Sequence, residues 1–138
     1  MACSSESGRV ILIPDRYEGV VAIIYDVKDG AAKEFENGKQ VFRIPSSGVL
    51  KTQLSLDTTW VSSDDINYYY YSGKKRTEIA RADFSKDLPS DTVQIIGERV
   101  GVTSEIPNTV FTFLVCSYNK SDSLSLLRER LNFADLKK

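Results

Sequence analysis

The sequence predicts a mainly β protein, a β-sandwich or open barrel of about seven to nine short strands with one C-terminal helix. Three observations carry this. Short runs rich in Val, Ile, Tyr and Phe recur along the chain, and these residue types suit a pleated, half-buried surface. Pro, Gly and Asn-Gly turn signals separate the runs. A helical apolar spacing stands out at the C-terminal end.

Taken in order, Arg9 to Ile13 is the first expected strand. It is closed by Pro14, which has no N–H to give a ladder. Pro14–Asp15–Arg16 is a turn, with Tyr17 packed over it, and Gly19 permits the turn conformation without steric cost. Gly19 to Val27 is rich in Val and Ile and barely alternates, as expected of a strand covered on both faces. Asp29–Gly30 ends it. Ala31 to Lys39 is polar and contains Asn37–Gly38, a hairpin dipeptide. Gln40 to Ile44 alternates, which directs Phe42 and Ile44 inward. Pro45–Ser46–Ser47–Gly48 is a turn, and Val49 to Leu56 the next strand. Asn67 to Tyr71 and Arg76 to Ala80 form a hairpin about the turn Ser72 to Lys75. Arg81 to Pro89 is a charged surface loop. Thr92 to Ile96 and Thr109 to Tyr118 are the last strands, and Gly97 to Pro107 is expected to be a long loop between them. Ser121 or Asp122 then caps a helix. Leu124, Leu127, Leu131 and Ala134 make its apolar stripe, and Arg128, Glu129 and Arg130 fall on the opposite face.

The chain has 138 residues, the size of one domain. Residues 1–8 read as a flexible tether and residues 9–138 as a single β-rich domain. A formal charge of −1 offers nothing to draw nucleic acid. There is no histidine. That removes Ser-His-Asp and Cys-His catalysis, histidine-ligated zinc and the usual neutral-pH base. Cys116 lies in an apolar β-branched run and reads as a small buried hydrophobe.

The most unusual local feature is Tyr68–Tyr69–Tyr70–Tyr71. In a strand, Tyr68 and Tyr70 share one face and Tyr69 and Tyr71 the other, with about 7 Å between same-face residues. A solvent-facing pair, joined by Trp60 and the acceptors Asp64 and Asp65, would make a candidate binding surface for a sugar ring or a peptide. The competing reading is that tyrosines simply cover a pleated surface. Asp64 and Asp65 diverge in an extended chain, and Asp26, Asp29 and Asp57 have no spacing that makes a catalytic pair. Asp26, Asp29 and Asn37–Gly38 lack a regular calcium-loop pattern. Lys74–Lys75–Arg76 reads as a solvated hairpin tip, and Gly97 to Gly101 is not a phosphate loop. No enzyme activity, cofactor or metal is expected.

Cys3 heads the small, polar stretch Ser4–Ser5–Glu6–Ser7–Gly8. This is what remains when a bacterial lipoprotein signal is removed and replaced by a start codon. Leu12–Ile13–Pro14, Tyr17–Glu18–Gly19 and Val21–Ala22–Ile23, followed by the segment Phe42 to Thr52 and the Tyr-rich strand, resemble an uncharacterised family of bacterial lipoproteins. That family carries an Ile-Pro-x-x-Tyr-x-Gly stretch. The same half is similar, more loosely, to transthyretin-like sandwich domains. The lipoprotein resemblance implies a removed signal peptide and a secreted cell-envelope domain, on the periplasmic or surface side. The domain would be bound to the membrane by a lipid on Cys3, with a structural or protein-interaction role. The alternative is a carbohydrate- or peptide-binding module using the exposed Tyr and Trp residues.

Overall fold

The computed structural model describes residues 8–55, 66–82, 89 and 91–137. Nine strands are present among them: β1 (Arg9–Pro14), β2 (Gly19–Ile24), β3 (Phe35–Glu36), β4 (Lys39–Arg43), β5 (Val49–Lys51), β6 (Ile66–Ser72), β7 (Lys75–Ile79), β8 (Val93–Val102) and β9 (Thr109–Ser117). They form a five-stranded sheet, ordered β3-β4-β1-β6-β7, and a four-stranded sheet, ordered β5-β2-β9-β8. The chain is therefore mainly β, as expected, and the two sheets do not close into a barrel.

Both sheets are mixed. β1 runs parallel to β4 on one side and to β6 on the other. β2 is parallel to β5 and antiparallel to β9. Period-2 alternation decides which side chains meet between the layers. Ile11, Ile13, Phe42, Ile44, Ile66 and Tyr68 from the first sheet face Val21, Ile23, Tyr25, Phe111, Phe113 and Val115 from the second. Two edge-to-face ring pairs join the layers, Tyr68 with Phe113 at 5.1 Å and Tyr25 with Phe42 at 5.9 Å, a geometry that aromatic quadrupoles favour.

β2 lacks alternation because its second face is covered as well. Ala22 and Ile24 pack with Val27, Ile106, Val110 and Phe133. The cover is the C-terminal helical segment, with α1 (Ser121–Glu129) lying against β9 and β2 and followed by the short α2 (Phe133–Lys137). The break has a local cause. Asn132 Oδ1 accepts the backbone N–H groups of Ala134 and Asp135, which starts a new helix at its side chain.

Three local expectations are corrected. Gly97 to Pro107 is not one long loop, because β8 continues through it to Val102. Gly97, at φ +69°, opens a bulge between Ile96 and Arg99. The ladder resumes at Arg99↔Thr112 and runs to Val102↔Thr109. Neither Ser121 nor Asp122 caps α1 through its side chain; the Ser121 hydroxyl donates back to the Tyr118 carbonyl. The stripe on α1 is also rotated. Leu127 is exposed and Arg128 is buried, for the reason given below.

Candidate functional site

The β6 tyrosines split by parity. Tyr68 is fully buried in the inter-sheet core, so it is not presented to a ligand. Its hydroxyl donates to the Glu98 carboxylate, which also takes Arg81 at 2.9 Å. Burial, with the Glu98 charge beside it, pushes the Tyr68 phenol far above its ordinary pKa. Tyr70 packs on the same core, and its hydroxyl donates to the Tyr17 carbonyl at 2.7 Å. Burial, then Glu18 and Asp15, push its pKa up to about 12.

Tyr69 and Tyr71 lie on the outer face of the first sheet, half-buried over Val10, Leu12 and Val41. Long charged side chains share that face. Arg43 sits 6.0 Å from the centre of the Tyr71 ring and pairs with Glu34. Arg76 forks onto Glu36 with contacts of 2.8 and 2.9 Å, and that pairing draws the Glu36 carboxyl below its ordinary range. The basic run at the β6–β7 turn therefore gives Arg76 to a carboxylate. Cys3, Asp57, Trp60, Asp64 and Asp65 lie outside the described residues.

The Ile-Pro-x-x-Tyr-x-Gly stretch is architectural. The turn Pro14 to Tyr17 closes by Tyr17 N–H to Pro14 carbonyl at 3.0 Å, with Arg16 at φ +65°. The Tyr17 hydroxyl donates to the Val20 carbonyl at 2.6 Å. The ring lies against Gly19 and Gly48. Pro14, Tyr17, Gly19, Gly48 and Tyr70 thus meet at one end of the sandwich. Asp26 accepts from the Ser55 hydroxyl. No group of three or more carboxylates or thiols among the described residues could hold a metal.

A groove missed at the level of sequence lies on the outer face of the second sheet. It encloses about 250 Å³ between the far half of the β8–β9 hairpin and the helical segment. Arg99, Val100, Val102, Arg128, Leu131 and Phe133 are among its walls. The bulge explains the rotated helix. With no side chain at Gly97, the Arg128 guanidinium lies flat on it, and Nη1 donates to the Gly97 carbonyl at 2.5 Å. Burial draws the Arg128 pKa down, with the Arg99 charge next in effect. Two glycines within a β-branched run were the available signal, since Gly inside a strand often marks a bulge.

Two mixed sheets with a helical cover define a mainly β, sandwich-like domain. The chain belongs to the family of unknown function DUF6843, whose profile matches residues 5–121. A solved structure described as "Putative Lipoprotein from Bacillus anthracis" shares the fold, with a TM-score of 0.55 at 18% identity. The match covers 83% of this chain and 76% of that one. A search of curated proteins finds no match.

Proposed function

We propose that this protein is a non-catalytic, lipid-anchored cell-envelope domain, tethered through Cys3 and acting in a structural or protein-interaction role. The observation that supports it best is the fold shared with the Bacillus anthracis protein described as a "Putative Lipoprotein". It combines with a cysteine six residues ahead of Arg9, where β1 begins. A diacylglyceryl group joined to the Cys3 sulfur by a thioether would hold the sandwich close to the bilayer surface, since each buried methylene of its acyl chains adds about 0.8 kcal/mol of membrane affinity. No helix among the described residues is long and apolar enough to cross a membrane.

The test is metabolic labelling of the complete gene product with an alkyne fatty acid in a bacterial host. The expected outcome is a labelled, membrane-fractionating protein, with both properties lost in Cys3→Ser. A wild-type protein that stays unlabelled sinks the reading.

A second reading is a carbohydrate- or peptide-binding module built on Trp60, Asp64, Asp65, Tyr69 and Tyr71. One observation favours it: Tyr69 and Tyr71 share the outer face of the first sheet with part of each ring open to solvent. Binding on a glycan or peptide array that disappears in Tyr69→Ala and Tyr71→Ala would support it.

A further inference from the structure

Arg128 is buried, with 8% of its surface exposed. One of its five donors goes to the Gly97 carbonyl. Its Nε–H, wholly enclosed, has no hydrogen-bond partner among the described residues. A guanidinium has no acceptor of its own, and burying one without an anion costs free energy. Glu129, beside it in sequence, is instead paired to Arg99 at 3.0 Å, with side-chain exposures of 60% and 59%. An exposed pair of this kind contributes little and is readily exchanged.

The rest of the groove is apolar on one side. Val102 is 70% exposed and Val100 37% exposed, and Leu131 and Phe133 continue the wall. A buried cation with no carboxylate bonded to it among the described residues thus stands next to apolar surface open to water. Each half of that arrangement is unfavourable alone, and one ligand would relieve both.

We propose that this groove binds a small organic monocarboxylate with a short aliphatic tail. The carboxylate would sit on Arg128, with Arg99 released from Glu129 as a second contact. The tail would run along Val100, Val102 and Leu131. Glu105 and Glu129 also line the groove, so a second negative charge on the ligand is disfavoured by like-charge repulsion. The inference is independent of the lipid anchor, because no residue in it lies near the tether in sequence.

Octanoate is the probe, measured by calorimetry and by amide chemical shifts on the folded protein, with octanol and acetate as controls. Octanoate is expected to bind saturably at one site, with the shifts confined to β8, the end of α1 and α2. Octanol lacks the carboxylate and acetate lacks the tail, so each should bind about tenfold or more weakly. Val102→Asp changes an exposed side chain without touching the core and should weaken octanoate by a similar factor. Arg128→Lys keeps the charge and loses the fork, and should also weaken it. If Arg128→Lys does not fold, Val102→Asp and the two control ligands still decide. Absence of octanoate binding, octanol binding as tightly as octanoate, or unchanged binding in Val102→Asp would each overturn the proposal.

Discussion

At Gly48 the backbone sits at φ +82°, and a Cβ there would fall 2.0 Å from the Tyr17 hydroxyl and 2.7 Å from the Val20 carbonyl. The left-handed conformation alone costs an L-residue about 1–2 kcal/mol. With the clash added, Gly48→Ala should destabilise by about 2–4 kcal/mol, read as a shift in the urea midpoint. Tyr17→Phe removes the hydrogen bond to Val20 and should cost about 1 kcal/mol. The two changes share an atom, so they should not add. Removing the hydroxyl relieves part of the clash, and the double variant should be more stable than the sum of the single effects. Additive effects would mean that Tyr17 does not lie over Gly48. At Tyr68 a single hydroxyl matters for a different reason, since it supplies a donor to the partly exposed Glu98 carboxylate at the rim of the sandwich. Tyr68→Phe should cost about 1–3 kcal/mol, because a hydrogen bond to a charged acceptor is lost. A neutral result there would show that water takes the place of the phenol.

Elements divide into those whose signals are local and those set by what they pack on. β1, β2, β9 and the β6–β7 hairpin were readable because their composition, alternation and turn residues all agree. β8 is longer than its local signals imply. Gly97 and Gly101 are a breaker signal in the sequence, and the bulge that absorbs Gly97 is stabilised by β9 and by Arg128, both distant along the chain. The helix stripe departs from its apolar spacing for the same reason. Leu127 fits an apolar face by spacing, yet the bulge carbonyl takes a cation, so Arg128 turns inward and Leu127 is left 52% exposed. This rotation makes a sharp contrast between two apolar side chains. Leu127→Ala should change stability by less than about 0.5 kcal/mol. Phe133→Ala, at a buried position on the second face of β2, should cost about 3–5 kcal/mol. If the contrast is reversed in thermal denaturation, the helical segment packs in the register read from spacing.

Over the whole molecule, mainly β architecture could be read from composition, but sheet order could not. β1 pairs in parallel with two strands that follow much later in the chain, and no short-range signal encodes such a partner. The candidate site was less legible still. The parity of the tyrosines was fixed by strand geometry, whereas the face that is buried depended on where the second sheet lies. The groove depended on a bulge meeting a helix. The same layering sets how the protein responds to alkali. Tyr25 lies between the sheets, and burial pushes its phenol from 10.0 up to about 12, partly offset by the Arg9 charge. Tyr70 is raised to about 12 as well, and Tyr68 further still by burial and Glu98. The unfolded chain releases these protons near pH 10, whereas the folded protein keeps them to higher pH. Between those limits the unfolded state binds fewer protons, so stability falls as pH rises. Below about pH 10 both states hold the protons and the contribution is constant. Urea midpoints should therefore be insensitive to these phenols at neutral pH and drop through the alkaline window. Tyrosinate absorbance from the core should rise together with loss of the β circular dichroism signal. Tyr25→Phe keeps the ring and removes one of the titrating groups, so the drop should be shallower. An equal slope in that variant would mean that Tyr25 meets water in the folded protein, and the two sheets would then not enclose it.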